Sequence, residues 1–83
     1  MNQKDKDTLG FFLKSKRFFA DMSLQDVVDE LSKYDYQSST TGLNQIERDQ
    51  VKKVDIRLCL ILSKIYDFKM KELEDILKVE KHS

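Results

Sequence analysis

Leu9, Phe12, Leu13, Lys16 and Phe19 recur at the three- and four-residue spacing that places side chains on one face of an α-helix. This stripe predicts a helix capped by Asp7 or Thr8 and running to about Ala20, with those positions turned inward. Phe11 and Phe18 fall on a different stripe, where aromatics cover a neighbouring helix or lie in a subunit contact. Leu24, Val27, Val28 and Leu31 form a second amphipathic run, opened by Ser23 with Asp26 in capping-box position and ending near Tyr34. A polar connection leads to Ser38-Ser39-Thr40-Thr41-Gly42-Leu43-Asn44-Gln45-Ile46-Glu47-Arg48. Ser38 or Ser39 suits its N-cap, and only Leu43 and Ile46 are apolar anchors.

Asp49 to Val54 has no helical period and reads as a loop. Asp55 caps a fourth helix, Ile56 to Tyr66, that is apolar nearly all round. Such a helix is buried on more than one side, and Leu58, Ile61 and Ile65 are candidates for a dimer contact. After the turn Asp67-Phe68-Lys69, a last helix from Met70 to about Val79 should bury Met70, Leu73, Ile76 and Leu77. Residues 1–7 are expected to be a flexible arm and 80–83 a frayed end, leaving one helical domain over 8–79.

Composition agrees with an all-α reading. Proline is absent and glycine occurs only at Gly10 and Gly42, too little turn chemistry for a β-rich chain. The 40% hydrophobic and 36% charged content suits a small soluble globule, and 83 residues suffice for one core. The longest apolar run, Leu58 to Leu62, is too short to span a membrane, and the start carries no charged-then-apolar leader. The expected location is the cytoplasm.

Candidate chemistry is sparse. Fifteen basic and fifteen acidic residues cancel, which argues against indiscriminate polyanion binding. Their distribution is uneven: Lys14, Lys16 and Arg17 cluster, and Arg48, Lys52, Lys53 and Arg57 outnumber Asp49 and Asp55. His82 is the sole histidine and Cys59 the sole cysteine, so a zinc ligand set is missing and Cys59 reads as a buried free thiol. The separated glycines make no phosphate loop, and the carboxylates read as solvated helix faces. The expectation is a non-enzyme without a cofactor. The helix opening at Ser39 is more informative. Its start offers free N–H groups to a phosphate. Asn44 and Gln45 can pair with an adenine edge, Thr40 and Thr41 can touch a thymine methyl, and Arg48 suits guanine or phosphate.

The order of "LGFFLKSKR", "LQDVVDEL", "STTGLNQIER" and "LCLILSKIYDF" resembles the Cro and lambda-repressor-like (Xre-type) helix-turn-helix family over roughly Leu9 to Leu77. The resemblance implies a compact five-helix DNA-binding domain with an extended turn between helices 2 and 3, the link matching a long "SxYxYxxS" variant. It implies Thr40, Thr41, Gln45 and, at the margin, Asn44 as base readers. Ser39, Arg48, Lys52, Lys53 and Lys14 or Lys16 would contact phosphate. Arg17 and Glu47 would form an internal ion pair, and Gly42 would permit close approach to the second helix. Two residues depart from the pattern: Leu24 replaces a glutamine that contacts phosphate, and Asp49 replaces a glycine, putting a negative charge near DNA. The implied function is a sequence-specific regulator of transcription, repressor-like, bacterial or phage, binding double-stranded DNA as a homodimer. A different class remains open: a protein-interaction module, antirepressor- or antitoxin-like, that meets a regulatory protein partner through Phe11 and Phe18.

Overall fold

Helix starts in this chain coincide with side chains that can accept a free backbone N–H, the groups a helix leaves unpaired at its first turn. Thr8 Oγ1 accepts from Phe11 N at 3.1 Å and opens α1, Leu9–Phe19. Ser23 Oγ accepts from Asp26 N at 3.0 Å while Asp26 Oδ2 accepts from Ser23 N at 2.9 Å, a reciprocal box that opens α2, Leu24–Ser32. Those hydrogen bonds from Ser23 hold the Asp26 carboxyl below its usual pKa. Ser39 opens α3, Thr40–Glu47, and Asp55 opens α4, Ile56–Ile65. Glu72 Oε2 accepts from Lys69 N at 3.1 Å at the head of α5, Met70–Leu77. The computed structural model describes residues 8–77, and among them the fold is five helices without a strand. The expectations for 1–7, for 78–83 and for the Leu77 side chain fall outside the described residues.

The ends of the first four helices follow one device. Asp21, Asp35, Asp49 and Asp67 have φ of 58°, 63°, 58° and 60°, the left-handed region usually given to glycine. Each sits where the chain folds back on a helix: Met22 N reaches Arg17 O, Tyr36 N reaches Leu31 O, Gln50 N reaches Gln45 O, and Phe68 N reaches Ser63 O. These six-to-one bonds define Schellman turns, which explains how the chain ends its helices with almost no glycine. A β-carbon in this conformation costs about 1–2 kcal/mol, and a carboxylate beside a helix C-terminus adds repulsion. Replacing Asp21, Asp35 or Asp67 singly by glycine is therefore expected to raise stability by about 0.5–1 kcal/mol, after glycine's larger unfolded-state entropy is subtracted. Urea titration of each variant measures this.

The core forms where α1 packs on α3 and α5 while α2 packs on α3 and α4. Leu13, Val27, Leu31, Leu62 and Leu73 are fully buried at its centre. Phe68 leaves its turn to enter this core and meets Phe12 edge-on, with ring centroids 5.0 Å apart. Two inward assignments change. Phe19 is 86% exposed, because Arg17 takes the last inward position of α1. Leu58 and Ile61, candidates for a dimer contact, are core residues of this one chain, and Ile65 is half-buried against the same core. A helix in contact with several neighbours uses up its apolar surface internally, leaving Ile56 and Leu60 as the exposed apolar side chains of α4. Phe11 and Phe18 do not cover a neighbouring helix; they are 43% and 62% exposed. No helix among the described residues is long and apolar enough to cross a membrane.

Candidate nucleic-acid interface

Helix α3 is held from behind and open in front. Leu43 and Glu47 are buried and Ile46 is half-buried, all at the spacing that turns one side of the helix toward α1 and α2. Arg17 Nε and a terminal nitrogen donate to the two carboxylate oxygens of Glu47 at 2.8 and 2.9 Å, a bidentate pair. The other terminal nitrogen donates to Met22 O at 3.0 Å, and the guanidinium lies 5.0 Å from the Phe18 ring centre. One side chain thus ties α1, the α1–α2 connection and α3 together. The hydrogen bonds to Glu47 raise the Arg17 pKa above its already high value. Burial, with Glu47 nearby, pushes the Tyr66 phenol well above its ordinary range.

The open side carries Thr41, Asn44, Gln45 and Arg48, all exposed. At about 100° per residue, Asn44, Arg48, Thr41 and Gln45 follow one another around an arc of about 100° on the helix. Thr40 sits at the edge of that arc, half-buried. Ser39 is exposed, with Oγ accepting from Gly42 N at 3.0 Å, so it caps α3 and its hydroxyl hydrogen is left to donate. Lys52 and Lys53 are exposed in the loop that follows α3, and neither they nor Arg48 pairs with a carboxylate among the described residues. Lys14 is exposed on α1 with its ammonium 5.8 Å from the Phe18 ring centre. Lys16 is committed elsewhere: it bonds Glu72 at 2.9 Å and joins α1 to α5. That bond, and the one from Lys69 N, lower the Glu72 pKa.

Three features depend on contacts between segments distant in the sequence. Asp49 Oδ1 accepts from Gly10 N at 2.9 Å, so its carboxylate caps the first turn of α1 from across the fold. Its charge therefore faces the positive end of that helix. Gly10, not Gly42, is the close-approach glycine. A β-carbon at Gly10 would lie 2.6 Å from the carbonyl oxygens of Ile46 and Glu47, whereas at Gly42 it would meet only Ser39 Oγ at 3.2 Å. Gly10 lies on the inward side of α1 beside Leu13, and that placement is the signal a sequence offers for such a role. Tyr36, finally, anchors the long α2–α3 link: its hydroxyl donates to Asp55 Oδ2 at 2.9 Å and Arg57 lies 5.9 Å from its ring centre. Asp55 also accepts from Arg57 N at 3.1 Å, so one carboxylate caps α4 and fixes the link that delivers Ser39 to the head of α3.

Among the described residues no group of three or more His, Cys, Asp or Glu side chains is placed to hold a metal ion. The surface that remains is neutral-polar along α3 and cationic in the loop after it, with hydrogen-bond donors and acceptors on a rigidly mounted helix. No family model matches the chain, and no similar curated protein or solved structure is found.

Proposed function

We propose that this chain is a sequence-specific DNA-binding regulator of the Cro and lambda-repressor-like type, with α3 entering the major groove. The observation that carries the reading is the division of α3. Its back is locked by Leu43 and the Glu47–Arg17 pair, and its front offers Thr41, Asn44, Gln45 and Arg48 to a partner. A rigid mount matters because base readout needs side chains held to within hydrogen-bond tolerance of a base edge. Gln45 and Asn44 address base edges, Thr41 and the half-buried Thr40 supply methyl contacts, and Ser39, Arg48, Lys52 and Lys53 hold phosphates. The protein acts as a homodimer on two half-sites about 34 Å apart, in the cytoplasm at the nucleoid.

The test is selection from a random duplex library followed by polarisation titration on the selected sequence. Gln45→Ala is expected to weaken binding about tenfold and to relax the preference at one base position, since a bidentate contact is worth about 1–3 kcal/mol. Lys52→Ala with Lys53→Ala should lower affinity on all sequences alike and reduce the salt slope by about 2. A folded wild-type chain that enriches no sequence sinks the proposal. In that outcome the exposed Phe11 and Phe18, beside Lys14, favour the second reading, a module that meets a partner protein through α1.

A further inference from the structure

A cavity of about 280 Å³ opens between α1, α4, α5 and the loop after α3. Leu9, Ile46, Val51, Val54 and Leu73 give it apolar walls drawn from three helices and that loop. Cys59 also lines it, 3% exposed and with a free thiol. Burial, with Asp55 nearby, raises the thiol pKa, so the interior carries no charge. Charge appears only where the lining reaches solvent: Asp49 and Lys52 are exposed, of opposite sign, and not paired with each other.

We propose that this cavity binds a small apolar zwitterion of the size of a free branched-chain amino acid, its hydrocarbon end inside and its charged end between Asp49 and Lys52. Apolar walls favour a hydrocarbon body, and an unpaired base and acid at the rim favour a carboxylate beside an ammonium. A simple carboxylate would face Asp49, and a simple amine would face Lys52. The remaining oxygen of Asp49 is the acceptor for the ammonium, since Oδ1 already takes the Gly10 N–H. The volume of about 280 Å³ has room for a molecule of the size of leucine. The site shares Lys52 with the proposed phosphate contacts but does not rest on the DNA reading, and its test contains no DNA.

The experiment measures the rate at which methyl methanethiosulfonate labels Cys59 in the whole chain, with free leucine, 4-methylpentanoate or 3-methylbutylamine present. Leucine at about ten times its Kd is expected to slow labelling about tenfold by mass action, and each singly charged analogue to protect far less at the same concentration. Lys52→Gln, an exposed substitution that leaves the walls intact, should bring leucine down to the level of the amine. Amide NMR shifts of Val51, Val54 and Leu73 give a second readout that needs no labelling. Equal protection by all three compounds, or unchanged labelling and unmoved amides at saturating leucine, overturns the proposal.

Discussion

Replacing Arg17 by alanine is expected to cost about 3–5 kcal/mol, because it leaves the buried Glu47 carboxylate without its partner. The side chains of Arg17 and Glu47 are 11% and 5% exposed, so water cannot replace the lost hydrogen bonds. For a domain this small that loss is a large share of total stability. Glu47→Ala should cost a similar amount, and there Arg17 keeps only its bond to Met22 O. Arg17→Lys is not a rescue: a single ammonium cannot bond both carboxylate oxygens and Met22 O in the guanidinium's planar arrangement. The paired change Arg17→Met with Glu47→Leu, in contrast, should recover most of the stability, since desolvation of two charges nearly offsets their attraction. Chemical denaturation of the two single variants and the double variant completes a cycle that reads the coupling directly. If the alanine variants lose less than about 1 kcal/mol, the pair behaves as a surface salt bridge and the mount of α3 lies elsewhere.

Gly10→Ala is expected to destabilise by about 3 kcal/mol, at the upper end of overpacking costs. The sign is informative, because alanine inside a helix ordinarily stabilises by about 0.5–1 kcal/mol over glycine. Here the added carbon would stand 2.6 Å from two backbone carbonyl oxygens, of Ile46 and Glu47, and 2.7 Å from Asp49 Oδ1. Backbone atoms cannot rotate away as a flexible side chain can, so α1 must move off the end of α3. That motion also stretches the Gly10 N–H bond to Asp49 and strains the Arg17–Glu47 pair on the same interface. In a thermal melt the expected fall is on the order of 15 °C for a domain of this size. An unchanged or higher melting temperature would show that α1 and α3 do not approach so closely. Asp49→Gly offers a partner test. It relieves the left-handed strain as glycine does at Asp21, Asp35 and Asp67, but it removes the cap on α1, so it should not share their gain.

Two contacts, of Asp49 and of Tyr36, tie distant segments of the five-helix fold together. Asp49 is engaged with the head of α1 through the Gly10 N–H. Tyr36 secures the lengthened link by bonding the residue that caps α4. Both are contacts between segments far apart in the chain, 39 and 19 residues respectively.

The helices are legible in consecutive residues, because their signals are local. Periodic apolar positions mark Leu13, Val27, Leu31, Leu43 and Leu73, and Thr8, Ser23, Ser39 and Asp55 mark the starts. Capping acts within one helical turn and amphipathic patterning within a few, so both are written in consecutive residues. The Arg17–Glu47 pair is legible only through the order of motifs along the chain; no local rule joins residues 30 apart. Which apolar residues stay outside depends on the packing of the helices. Phe19 has the spacing of a core residue and α4 the look of an interface, yet the first is exposed and Leu58 and Ile61 are consumed inside. Periodicity tells which side of a helix is apolar, but burial depends on how far a neighbouring helix extends along it. The same limit hid Gly10, whose role depends on the distance to a backbone that only packing brings near.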